Sequence, residues 1–127
     1  MKTRAAVLRK GGTPWEITEL ELDEPKANEV LVRMEAAGLC HSDEHIRARG
    51  RARLPMVGGH EGAGVVVQRG PGVTRLYDIP MILSLWHEGH IKLPELITKR
   101  YALEEINEGY AFLMEGRNLR GVLVHQH

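Results

Sequence analysis

Cysteine is nearly absent from this sequence. The single residue, Cys40, cannot close a disulfide within the chain, and a cytoplasmic, reducing location is the expectation that follows. Charge of one sign is absent too. Seventeen basic and seventeen acidic residues cancel, so nothing favours nucleic acid or an anionic membrane surface. The same balance removes one guard against self-association. No apolar run approaches the roughly 20 residues of a transmembrane helix. The opening MKTRAAVLRK is too polar for a secretory leader. No Gly-x-Gly-x-x-Gly fingerprint follows a candidate strand, because GHEGAG (Gly59 to Gly64) has the wrong spacing and context. Internal repeats and low-complexity segments are missing as well.

What remains is ordinary for a soluble globular chain: 127 residues, 43% apolar and 27% charged. That length predicts one domain, 1–127, with enough residues to bury a core. The first part reads as β structure. Ala5 and Val7 alternate with Arg4 and Ala6, and Gly11-Gly12 and Pro14 mark a turn. Trp15, Ile17 and Leu20 to Leu22 suggest a second strand, which Pro25 and Asn28 break. In EVLVRMEAAG, Val30, Val32 and Met34 alternate with Leu31, Arg33 and Glu35. His41 to Arg47 fit a short helical turn with Ser42 as N-cap. Arg49 to Pro55 form a basic loop, and Val65 to Val67 a β-branched run ended by Gly70-Pro71-Gly72.

The texture changes to helical near Leu76-Tyr77. One predicted helix has Asp78 as N-cap, Pro80 in its first turn, Ile79, Ile82, Leu83 and Trp86 on one face, and Gly89 at its stop. A second places Leu103, Ile106, Tyr110, Leu113 and Met114 on one face, with Gly116 closing it. Gly109 inside costs about 1 kcal/mol relative to Ala, which points to close packing there. LRGVLV reads as a last strand pairing with the early ones.

Two clusters carry chemistry. GLCHSDEH (Gly38 to His45) holds the only cysteine, and GGHEGAG follows with His60 and Glu61. Zinc takes thiolate, imidazole and carboxylate, and its catalytic sites keep three protein ligands and an open position. Cys40, His60 and Glu61 are of those types, but at a separation that only a fold can close. A cysteine after a strand also suits a small buried apolar position. A histidine between glycines also suits a solvated loop. Asp43 fits either a partner for a metal-bound imidazole or a favourable charge at a helix start.

GLCHSDEH followed by GGHEGAGVV resembles the zinc-dependent alcohol dehydrogenases of the medium-chain dehydrogenase/reductase superfamily. MKTRAAVLRKGGTPWEI and EVLVRMEAAGLCHSD resemble that family's GroES-like catalytic domain. YALEEINEGYAFLMEGRNLRGVLV resembles its C-terminal segment. The wording is closest to actinobacterial members. The resemblance implies an α+β fold, a partial GroES-like antiparallel β-barrel with two or three helices. It implies that Cys40 and His60 are two of three catalytic zinc ligands and that Glu61 is an acid approaching the metal transiently. Asp43 becomes the partner of the zinc-bound histidine. Ser42 takes the alcohol proton and His45 passes it to solvent. His41 and Arg120 lie near the pyrophosphate of NAD. The family reaction turns an alcohol into an aldehyde or ketone with hydride transfer to NAD.

The chain departs from that pattern. After GPGVTRL a family member continues with more barrel strands, a four-cysteine structural zinc lobe, the third zinc ligand (a cysteine) and a Rossmann domain. Here Leu76 leads almost at once into YDIPMIL. The expectation is therefore an internally deleted dehydrogenase: block 1–76 joined to block 77–127, a catalytic-domain remnant unable to transfer hydride alone. Substitute ligands from His87, His90, His125 and His127 are weighed against plain surface solvation, which is the simpler reading. Two further readings stand beside it. One is a non-enzymatic GroES-like zinc-binding or assembly module, forming a homo-oligomer through exposed strand edges. The other is a dehydrogenase whose cofactor domain comes from a partner chain.

Overall fold

The computed structural model describes residues 1–49, 53–73, 87, 96–118 and 120–126. Among them the order is β1 (Lys2–Leu8), β2 (Glu16–Glu21), β3 (Val30–Gly38), α1 (His41–Arg49), β4 (Met56–Val57), β5 (Gly62–Arg69), β6 (Lys99–Tyr101), a 3-10 turn (Leu103–Glu105), α2 (Ile106–Met114) and β7 (Gly121–Val124). The strands make two sheets, ordered β2-β1-β4 and β5-β3-β7-β6. All pairings are antiparallel except β6 with β7. The α+β class is as expected. The helix predicted over residues 78–89 lies outside the described residues apart from His87.

β1 is central in its sheet, with β2 on one side and β4 on the other. Its last three residues, Ala6, Val7 and Leu8, are all buried, so the predicted alternation fails there. Gly12 takes φ +79 in the turn to β2, where the Thr13 N–H donates to the Lys10 carbonyl. β3 pairs with β5 through two register irregularities, at Leu31/Val32 and Met34/Ala36. The first puts its extra residue, Val67, in β5; the second puts its extra residue, Glu35, in β3 and breaks the alternation there. β3 is half-buried along nearly its whole length instead of alternating.

Both blocks contribute to one core. Leu8, Trp15 and Leu39 come from the first; Tyr101, Ile106, Tyr110, Leu113 and Leu123 come from the second. Burying each such side chain is worth roughly 1.5–3 kcal/mol. The Trp15 and Tyr110 rings stack at 6.0 Å. Asn107 holds the Trp15 main chain at both ends: its carbonyl accepts from Trp15 N–H and its amide donates to Trp15 C=O, each at 3.0 Å. β7 pairs with the end of β3, as predicted for LRGVLV.

Two further expectations change. α1 begins at His41, so Ser42 is inside the helix and not its N-cap, and its hydroxyl turns elsewhere. Met114 ends α2 and is 53% exposed, so it leaves the buried face that Ile106, Tyr110 and Leu113 share. β4 and β6 have two and three residues, too few to show a period.

Candidate metal centre

The centre begins where β3 ends. Gly38 is its last residue, and Leu39, 2% exposed, plugs into the core. The Leu39 N–H donates to the Gly121 carbonyl at 2.9 Å, which aims the chain out of the sheet. Cys40 then stands at the mouth of α1, half-buried. The packing of Gly109 in α2 against Leu39 explains the predicted close approach. A Cβ on Gly109 would stand 2.5 Å from Leu39 Cδ1.

His60 enters from the β4–β5 loop. Its Nδ1 faces Asp43 Oδ1 at 3.2 Å, and the same oxygen accepts from Gly59 N–H at 3.3 Å. Asp43 is 2% exposed, so this carboxylate is a fixed acceptor. An Nδ1–H donated to it leaves the Nε2 lone pair free, the tautomer a metal ligand needs. Nε2 lies 3.1 Å from Ser42 Oγ, and that oxygen lies 3.1 Å from Cys40 Sγ. The second Asp43 oxygen, Oδ2, is buried without a hydrogen-bond partner among the described residues.

Glu61 completes the group. Donor atoms of Cys40, His60 and Glu61 lie within 4.8 Å of one another. The Glu61 carboxylate accepts from Arg120 Nη1 at 2.6 Å. Thiol, imidazole and carboxylate at that separation, with a buried acid behind the imidazole, fit a zinc ion in donor type and spacing.

The titration of these groups follows from the contacts. The Cys40 thiol is lowered from its ordinary value, first by the Ser42 hydroxyl and then by the Ser42 main chain, with His60 adding to it. His60 is raised, first by Asp43 and then by Cys40. The Tyr110 phenol is pushed well above the tyrosine range, by burial first and the Asp43 charge second.

The remaining sequence-predicted residues are placed differently. His41 and His45 are exposed on α1, outside the hydrogen-bonded group of Cys40, Ser42, Asp43 and His60. Arg120 is committed to Glu61. His87 is exposed, and His125 is half-buried with its N–H on the Glu35 carbonyl. His90 and His127 lie outside the described residues. Sequence reasoning missed the Arg120–Glu61 contact and the Asn107 clamp, which join positions 59 and 92 residues apart.

Residues 26–78 match the alcohol dehydrogenase GroES-like domain. An NDMA-dependent alcohol dehydrogenase of Amycolatopsis methanolica is 58% identical over 77 residues, 60% of this chain and 21% of its own. An alcohol dehydrogenase class-3 of Cereibacter sphaeroides is 41% identical over 102 residues, 79% of this chain and 27% of its own. Among solved structures, an alcohol dehydrogenase zinc-binding domain protein from Burkholderia ambifaria matches with a TM-score of 0.57 at 45% identity, over 60% of this chain and 21% of that one. Residues 26–78 are thus similar to the GroES-like domain of alcohol dehydrogenases. The alcohol dehydrogenase likeness carries both motif clusters and the GroES-like fold. The chain spans about a fifth to a quarter of the relatives it matches. No helix among the described residues is long and apolar enough to cross a membrane.

Proposed function

We propose that this chain is a zinc-holding remnant of an alcohol dehydrogenase catalytic domain, with blocks 1–76 and 77–127 folding as one domain. The observation that supports it most directly is the cluster of Cys40, His60 and Glu61 donor atoms, with Asp43 behind His60. When bound, zinc supplies Lewis acidity that lowers the pKa of an alcohol beside it. Cys40 holds the metal as thiolate, helped by the Ser42 hydroxyl. His60 holds it through Nε2, with Asp43 keeping the proton on Nδ1. The Ser42 hydroxyl, between Sγ and Nε2, is placed to accept a proton leaving an alcohol. His45 lies exposed one turn further along α1, outside that hydrogen-bonded group.

NAD does not fit the same test. The chain has no dinucleotide fingerprint, and the Arg120 guanidinium is occupied by Glu61. Hydride transfer by this chain alone is therefore not part of the reading. Metal analysis of purified protein, with Cys40→Ala and His60→Ala beside it, tests the centre. Stoichiometric zinc in the parent and its loss in both variants is expected; a metal-free parent would overturn it. Alcohol oxidation with added NAD is expected to be undetectable, and robust turnover would refute the remnant reading.

A second reading, assembly through β5, draws on the exposure of that edge strand. Val65 and Val67 are 50% and 49% exposed, in a run, Gly62 to Val67, without a charge. A strictly monomeric mass in solution would remove it.

A further inference from the structure

We propose that Arg120 is a positioning residue that holds Glu61 as the third metal-holding group of this chain. The inference rests on the zinc reading above and goes beyond it. The resemblance gave Arg120 to a cofactor pyrophosphate and Glu61 only a transient approach to the metal. The structure pairs the two with each other, at 2.6 Å.

Backbone geometry fixes both partners before their side chains meet. The Gly38 N–H donates to the Glu61 carbonyl at 3.0 Å, which sets Glu61 at the end of β3. Gly38 has no side chain, and a Cβ there would run into Glu61 Oε2. The carboxylate therefore lies over bare backbone. On the other side, Thr98 pins Arg120: its N–H donates to the Arg120 carbonyl at 2.9 Å, and its Oγ1 accepts from Arg120 N–H at 3.1 Å. These bonds fix the main chain from which the guanidinium reaches Glu61.

Magnitude decides what the pair is for. Its side chains are 45% and 32% exposed. Such a surface pair adds about 0–1 kcal/mol to stability. A partner that orients a ligating carboxylate, by contrast, is worth about 10–100-fold in metal affinity. Glu61 Oε2 accepts from Arg120, and one oxygen of the same carboxylate lies within 4.8 Å of the Cys40 and His60 donors. With Cys40 the only thiol, no second cysteine competes for the third position. The site is then Cys-His-Glu, and its third arm is steered from the start of β7.

The test titrates metal-free protein with cobalt(II) as a spectroscopic stand-in and measures zinc affinity by competition with a chromogenic chelator. The parent is expected to show a thiolate-to-cobalt band that Cys40→Ala abolishes. Glu61→Gln is expected to shift the visible ligand-field bands and weaken zinc about 10–100-fold. Arg120→Met should weaken zinc similarly while the thiolate band survives, and Arg120→Lys should recover part of the loss. Gly38→Ala should behave like Arg120→Met. Melting curves check that each variant is folded; the Thr98 bonds to the Arg120 main chain survive both Arg120 substitutions. Arg120→Met with parental bands and parental zinc affinity overturns the proposal while leaving the zinc reading intact. A parent without the thiolate band sinks both.

Discussion

Gly109 in α2 packs against Leu39, with Leu39 Cδ1 2.5 Å from where a Gly109 Cβ would stand. Leu39 is the residue before Cys40. A change made in the helix therefore reaches the candidate metal centre through one side chain.

Gly109→Ala sets two effects against each other. Helix propensity favours alanine by about 1 kcal/mol. Overpacking against Leu39 costs typically about 1–3 kcal/mol. A net loss of stability is expected, together with weaker metal binding, because Leu39 directly precedes Cys40 and α1. Denaturant unfolding and zinc competition measure the two. A more stable variant with parental zinc affinity would show that Leu39 gives way freely.

Asn107→Ala removes both bonds to the Trp15 main chain. The part-buried donor and acceptor left behind should cost about 1–3 kcal/mol. Trp15→Ala should cost about 3–5 kcal/mol, since the ring is 3% exposed and stacks on Tyr110. Urea midpoints rank these variants; equal midpoints for Asn107→Ala and parent would mean water replaces the clamp.

The pH dependence has a definite direction. In metal-free protein His60 sits above 6.5 because of Asp43 first and Cys40 second. Its charged form thus stabilises the fold fully below the unfolded imidazole value, and that contribution is lost as pH rises through the folded value. Cys40, held below its ordinary 9.0, behaves oppositely: its contribution is present above that value and lost as pH falls through the lowered one. NMR titration of His60 in Asp43→Asn should show its midpoint falling. An unmoved midpoint would assign the shift to something other than Asp43.

Metal affinity should rise with pH, since a proton on Sγ or Nε2 competes for the same lone pair. Zinc competition measured across pH should follow the titration of Cys40 and His60. A parental profile that stays flat across both titrations would place the competing proton elsewhere.

Much of this architecture was legible in residue order. Gly11-Gly12, Asn28 and Gly70 to Gly72 mark the breaks, and Ile106, Tyr110 and Leu113 show the buried face of α2 by their spacing. β3 was read as alternating because a register irregularity leaves no trace in composition. Met114 was placed inside because periodicity does not say where a helix stops packing. The chemical types at Cys40, His60 and Glu61 were plain, yet types do not give distance. Local sequence reads the Ser42 hydroxyl as a helix cap because capping is local, whereas its actual neighbours include His60, 18 positions away, and only the resemblance places it with the chemistry. Arg120 meets Glu61 only because β7 lies beside β3, a relationship that no stretch of sequence carries.

That last relationship makes the centre sensitive to counting. β7 sits on β3 with Ala36 opposite Val124, Ala37 opposite Leu123 and Gly38 opposite Val122. Side chains alternate along β7, so inserting or deleting one residue between Arg120 and Leu123 would turn Leu123 out of the core or carry the guanidinium to the opposite face. A frame-preserving indel of a single codon there, far along the chain from Cys40 and His60, would disarm the site while leaving every donor residue in place.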